Sequence, residues 1–249
     1  MGRLTSQPPL FMGSTQMAAI EIIGDDNHVL IDDEFKNMIL AAKGVISFPA
    51  SGAPIIGSLA SFSYVSTSPI PPLLAIYSTF PVIGQALVKS GNTYTWYIAS
   101  SAAGRGGTAE AYVFHLPETV PNAGGLLQLF NAQGVLVFDS NLKYAKVERN
   151  INYTLAGNLS FPVTPGRKYA CVTSTGAGQF QQVPYPPLTQ PPLYGVSEQG
   201  SRSGFYMTNG LIRTEQFGYS NRNYATTTPP GGSYVQANGT LLAIDVTGL

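Results

Sequence analysis

Apolar residues along this chain fall in short runs, each stopped within a few positions by Gly, Pro, Asn or Asp. Such runs, rich in Val, Ile, Tyr, Phe and Thr, are strand patterns; an amphipathic helix needs apolar positions recurring at helical spacing over several turns. Residues 19–23 and 29–31 flank Gly24-Asp25-Asp26-Asn27 and predict a β-hairpin. Residues 35–43 read as a further strand or a short helical turn, and Val45-Ile46-Ser47-Phe48 as a strand closed by Pro49. Strands follow at 61–65, 73–77, 93–98 after the Gly91-Asn92 turn, and 109–114 after the Gly104-Arg105-Gly106-Gly107 loop. Residues 73–77 are apolar throughout, the pattern of a strand covered on both faces. A second hairpin is expected from 126–130 and 135–138 around Asn131-Ala132-Gln133-Gly134, with further strands at 143–147, 151–155, 168–174, 204–208, 211–217, 234–237 and 240–246. Strands at this spacing, punctuated by Gly and Pro, predict an all-β protein of sandwich or jelly-roll architecture. Residues 1–18, polar and holding Pro8-Pro9, read as a flexible N-terminal arm that orders only on docking. Residues 184–193 hold five prolines and read as an extended, proline-rich loop or spacer. The turn-rich stretch Val120-Pro121-Asn122-Ala123-Gly124-Gly125 is the clearest break, dividing 19–120 from 121–249, either as two regions or as one continuous domain.

Composition sharpens this picture. Charged residues make up 10% of the 249, against roughly a quarter in an average soluble protein. Lys+Arg and Asp+Glu are both 13, so the net charge is zero. That argues against a nucleic-acid partner, which selects a basic patch, and against binding to an anionic membrane. A surface this poor in charge is suited to burial against copies of itself or other proteins. The lone cysteine, Cys171, excludes an internal disulfide framework and a cysteine-rich zinc site, and reads as a small buried hydrophobe. The start lacks an apolar signal region and no long uncharged apolar stretch is present, so neither secretion nor membrane insertion is expected.

The two hairpins echo each other at an offset of 107 residues. Ile22 then meets Leu129, Ile23 meets Phe130, Val29-Leu30-Ile31 meets Leu136-Val137-Phe138, Asp32 meets Asp139 and Lys36 meets Lys143. The aspartate after the second strand is suited to accept backbone N–H groups in the following turn.

The segment Leu129-Phe130-Asn131-Ala132-Gln133-Gly134-Val135-Leu136-Val137-Phe138-Asp139-Ser140, followed by Lys143 and Tyr144, resembles a pattern of tailed-bacteriophage virion proteins, and Leu241-Leu242-Ala243-Ile244-Asp245-Val246-Thr247-Gly248 is similar to their closing strand. The resemblance implies a structural component of the tail tip, baseplate or fibre attachment, located in the virion, assembling with other tail proteins and with itself. It implies no catalytic residues and no cofactor.

Candidate chemistry is sparse. Six carboxylates crowd residues 21–34, Asp25 and Asp26 among them, yet the spacing lacks the ligands and turn glycine of a calcium loop. A solvated hairpin tip, or one that pairs with a neighbour's cations, fits better. The two histidines, His28 and His115, stand in no nucleophile elbow or zinc motif, and Gly104-Arg105-Gly106-Gly107 lacks the lysine of a phosphate loop. No catalytic, metal or cofactor site is therefore expected. Aromatics remain as candidate interaction residues. Tyr94 and Trp96 share one face of the 93–98 strand and Tyr97 points to the other. Exposed rings there would stack on sugars or form an interface, which gives the alternative reading of a carbohydrate-binding sandwich recognising a host-surface glycan.

Overall fold

The computed structural model describes residues 22–23, 29–31, 37–51, 57–121, 123–131, 133–155, 157–190, 193–227 and 230–249. The arm at 1–18, Asp25, Asp26 and His28 lie outside them. The protein is an all-β sandwich of antiparallel strands.

The first hairpin forms as β1 (Ile22–Ile23) and β2 (Val29–Ile31). Residues 35–43 and 45–48, expected as separate elements, instead contribute to a single strand β3 (Ile39–Ser47). Gly44 looks like a breaker but serves packing, since a Cβ there would lie 2.6 Å from the Phe62 ring. Next come β4 (Ser58–Val65), β5 (Leu73–Tyr77), β6 (Val82–Ser90), β7 (Thr93–Ser100) and β8 (Thr108–His115). Leu74, Ala75 and Ile76 are buried in succession, as a strand covered on both faces requires. The apolar pattern did not single out β6, whose outer half is solvent-facing.

Then follow β9 (Gln128–Phe130) and β10 (Leu136–Asp139), β11 (Lys146–Thr154), β12 (Ser160–Pro162), β13 (Tyr169–Thr175), β14 (Gly178–Gln190), β15 (Leu193–Thr208), β16 (Leu211–Thr226), β17 (Tyr234–Gln236) and β18 (Asn238–Asp245). The proline-rich loop expected at 184–193 is corrected: β14 runs through Gln190. Its ladder with β15 is interrupted between Pro184↔Val196 and Thr189↔Tyr194, so pairing skips the segment holding Pro186 and Pro187, which have no N–H to give. β15 and β16 are joined by Asn209-Gly210, with φ of 48° and 72°, the turn whose twist matches its flanking strands.

Two large sheets face each other. One has the order β11-β18-β13-β5-β8-β3; the other runs β12-β16-β15-β6-β7-β4, with β14 and β17 branching from β15. Their facing side chains form one core, with Ile76, Val113, Ile151, Cys171 and Leu241 from the first sheet and Val82, Tyr94, Ile98, Phe205 and Ile212 from the second. A smaller cluster, including Ala75, Tyr112, Phe114, Ala170 and Ile244, lies on the outer face of the first sheet under Met38, Leu40 and Leu249.

The strands divide at the middle of the chain. Residues 39–115 supply β3, β5 and β8 to one sheet and β4, β6 and β7 to the other; residues 146–245 supply the remainder. Each sheet joins its two parts through a single rung, Cys171↔Ile76 in one and Phe205↔Val82 in the other. Both sheets therefore change partner along a common seam.

The hairpin echo extends to geometry. β1–β2 pairs Ile22 with Ile31 and Ile23 with Val29; β9–β10 pairs Leu129 with Phe138 and Phe130 with Leu136. At the 107-residue offset these are the same rungs, and both ladders shift register between them.

Candidate functional site

Of the residues that carry the tail-protein resemblance, 129–144 form the β9–β10 hairpin and its following turn, and 241–248 lie in and after β18. Asn131 Oδ1 accepts the N–H groups of Gln133 (3.1 Å) and Val135 (2.9 Å), and Gly134 takes a φ of 74° to close the turn. Asp139 is fully buried and accepts from Asn141 N–H (2.8 Å), Gln128 Nε2 (2.7 Å) and Gly125 N–H (3.3 Å). Burial alone would raise its pKa, but these donors outweigh it and hold the carboxyl below the ordinary value. Tyr144 stacks on Phe138 with ring centroids 5.1 Å apart, and its hydroxyl accepts the Asp139 N–H at 2.8 Å. Lys143 Nζ reaches out of the hairpin to donate to the Gly248 carbonyl at 2.8 Å, while the bonds of Asn131, Asp139 and Tyr144 close the hairpin and its following turn.

The β7 aromatics separate by face. Tyr94 is buried and its hydroxyl donates to the Ser68 carbonyl at 2.7 Å, with Lys89 Nζ 4.7 Å above the ring. Trp96 is 9% exposed and packs at the edge of the core, 6.5 Å from Phe62. Tyr97 points outward and is 39% exposed. Around it lies the outer face of β4, β7 and β6. Cross-strand neighbours there are Leu59 and Ala99, Ser61, Tyr97 and Ala86, Ser63, Thr95 and Val88, and Val65, Thr93 and Ser90. None of these side chains is charged, and Val65, Leu59 and Val88 are exposed.

Trp96 also borders a cleft of about 340 Å³ at the seam. Its walls come from β5, β6, β13 and β15, including Gln85, Leu87, Thr173 and Arg202. Pockets favour junctions between structural units, and this one opens where both ladders are down to one rung. Gln85 Nε2 and Thr173 Oγ1 are buried and meet no hydrogen-bond partner among the described residues. Buried polar atoms in a folded protein are nearly always satisfied.

A second pocket, of about 760 Å³, is lined by Lys43, Tyr77, Tyr112, Arg167, Lys168 and the Asn209-Gly210 turn. Its cations already have partners. Lys168 Nζ lies 2.5 Å from Glu110 and 4.2 Å above the Tyr77 ring, Lys43 is 3.6 Å from Glu110, and Arg167 pairs with Asp245. Burial pushes the Glu110 pKa up, but hydrogen bonds from Lys168 and Tyr112 and both lysine charges bring it below the ordinary value. The Lys168–Glu110 pair joins the two parts of the sandwich, so this pocket's charges brace the seam.

His115 is fully buried at the end of β8. Leu116 N–H donates to its Nδ1 at 2.7 Å, so the ring proton sits on Nε2 and donates to Ser66 Oγ at 3.1 Å. Burial pulls its pKa below 6.5 and keeps it neutral. Cys171 is buried in β13, where burial alone pushes its thiol up to about 12. Among the described residues no group of three His, Cys, Asp or Glu side chains is placed to hold a metal ion.

The sequence pointed to β7 but missed the cleft. Gln85, Thr173 and Arg202 are far apart in the chain and meet only because the sheets change partner there. The available signal was the polar Gln85 inside the apolar run Val82-Ile83-Gly84-Gln85-Ala86-Leu87-Val88. No protein-family model matches the chain, nor does any curated protein or solved structure.

Proposed function

We propose that this chain is a non-enzymatic structural component of a bacteriophage tail, at the tail tip, baseplate or fibre attachment, and that it works by binding copies of itself and neighbouring virion proteins. The tail setting rests on the sequence resemblance of residues 129–144 and 241–248. The observation that carries the assembly part is the uncharged outer face of β4, β7 and β6, with Tyr97 near its middle and Leu59, Val65 and Val88 around it. Freely solvated surfaces keep charge, whereas the centres of protein interfaces lose it and gain aromatics. Quantitative mass spectrometry of purified particles from the source of this chain tests the proposal. The expected result is an integral copy number, with an antibody against the chain labelling the tail end in electron micrographs. Particles that lack the chain refute the tail role.

A second reading, a carbohydrate-binding sandwich that recognises a host-surface glycan, is favoured by the seam cleft. An indole edge beside two unsatisfied polar atoms suits a ligand rich in hydroxyls. A glycan array tests it: retention of a glycan that is lost in Gln85→Ala and Thr173→Val, with unfolding midpoints within a few degrees of the parent, supports this reading. An empty array leaves assembly alone.

A further inference from the structure

Five described strands end one of the two large sheets or its branch: β3, β4, β11, β12 and β17. Exposed edges template pairing with other chains, and proteins blunt them with charge, proline, shortness or cover. Four of the five are blunted. β11 carries Lys146, Glu148 and Arg149. β12 and β17 span three residues each, β12 ending at Pro162. β3 carries Lys43 and is crossed by the chain at 143–145, where Leu40 N–H donates to the Lys143 carbonyl at 2.7 Å and Ala145 N–H to the Met38 carbonyl at 2.8 Å. β4 has none of these devices among the described residues: its eight residues, Ser-Leu-Ala-Ser-Phe-Ser-Tyr-Val, hold no charge and no proline, and β7 is the one described strand paired with it.

Its sequence is also close to a palindrome about Phe62. When two copies of β4 run antiparallel across a two-fold axis at Phe62, Ser61 faces Ser63, Ala60 faces Tyr64 and Leu59 faces Val65. The outward residues Leu59, Ser61, Ser63 and Val65 then meet one another on one face. Phe62, Ala60 and Tyr64 meet on the other. Each rung is matched: hydroxyl to hydroxyl, small to large, aliphatic to aliphatic. The absence of charge matters because a two-fold axis brings both copies of any charge near it close together, with no opposite charge on this strand to offset them. A shift of two residues would set Ser61 against Val65 and lose the match.

We propose that β4 is a homotypic docking edge, pairing with β4 of a second copy of this chain so that the larger sheet continues across a two-fold axis. The proposal rests on the assembly reading and names its partner. A single strand pair buries less than the roughly 1,200 Å² of a stable interface, so the isolated dimer should be weak, with a Kd on the order of 10 μM, strengthened wherever copies are held close together.

Sedimentation equilibrium of the full chain from about 1 to about 500 μM is the first measurement. A concentration-dependent monomer–dimer equilibrium is expected, weakened about tenfold or more in Val65→Lys and in Ser63→Lys, which set a cation against an apolar residue or a hydroxyl close to the axis. Both side chains are exposed, so circular dichroism and unfolding midpoints should match the parent. The register has its own test, since Cys171 is buried and takes no part. An equimolar mixture of Ser61→Cys and Ser63→Cys chains should oxidise to a mixed dimer, and either variant alone should cross-link several-fold less, the two being offset across the axis. A strict monomer to the highest concentration overturns the pairing, while the particle experiment decides the assembly reading separately. A dimer indifferent to Val65→Lys and Ser63→Lys places self-association elsewhere and also overturns it.

Discussion

Replacing His115 with phenylalanine gives a stability difference that depends on pH in a direction fixed by the structure. The imidazole is fully buried, its Nδ1 accepting from Leu116 N–H and its Nε2–H donating to Ser66 Oγ. Phenylalanine fills the same space but loses both bonds, leaving Leu116 N–H unpaired while Ser66 Oγ keeps the Ser68 N–H at 3.2 Å, so at about 1 kcal/mol per bond the variant should be about 2 kcal/mol less stable at pH 7.5. Acid narrows the gap. Burial holds the folded pKa below 6.5, so as pH falls the unfolded chain takes up the proton first. The unfolded state binds more protons, and parent stability is lost as pH falls from 6.5 through the lower folded value. One proton limits the slope to about 1.4 kcal/mol per pH unit, so the parent loses at most about 2 kcal/mol between pH 6.5 and 5. The variant lacks this loss, and the difference between the two profiles separates His115 from His28. Urea titrations at half-unit steps, read through the fluorescence of the single tryptophan, Trp96, supply both profiles. A parent profile flat from pH 7.5 to 5, or a variant that follows the parent slope, refutes the buried neutral histidine.

Three further outcomes are expected. Tyr94→Phe loses the bond to the Ser68 carbonyl and should cost about 1 kcal/mol in chemical denaturation, with self-association unchanged because the ring is buried. Gly239→Ala should destabilise by about 1–3 kcal/mol, read as a lowered midpoint; its Cβ would lie 2.3 Å from the Tyr153 ring, which is fixed by hydrogen bonds to Thr175 and Ala177. Glu110→Gln removes the carboxylate that joins Lys168 and Lys43 across the seam; partial exposure keeps the loss below about 1 kcal/mol, and it should shrink further in 0.5 M salt, an outcome calorimetry at two salt concentrations checks.

Much of the architecture was readable because strands report burial by alternation. The 93–98 pattern put Tyr94 and Trp96 on one face and Tyr97 on the other, and 73–77 announced a strand buried on both faces; the structure has both arrangements, with the Tyr94 face inward. The two-hairpin echo was visible as apolar spacing and reappears as shared rungs. What escaped has physical reasons. β6 is half solvent-facing, so Leu87 and Val88 are exposed together and no alternation marks them. Residues 35–43 and 45–48 were expected as separate elements, yet β3 continues through Gly44, where a Cβ would lie 2.6 Å from the Phe62 ring. Five prolines in 184–193 suggested a loop, yet β14 pairs with β15 on both sides of Pro186-Pro187, Pro184 included. The seam cleft had no spacing signal, because it is made by strand order, and strand order follows from the fold as a whole.

The one-rung seam has a mechanical consequence. Cys171↔Ile76 and Phe205↔Val82 lie on facing sheets and act as a hinge line, with dense ladders on either side. Opening along that line breaks few hydrogen bonds, so amides beside it should exchange through a low-energy sub-global event, while those of β8 and β18 wait for complete unfolding. A chain jointed in this way bends at the joint while each ladder keeps its register.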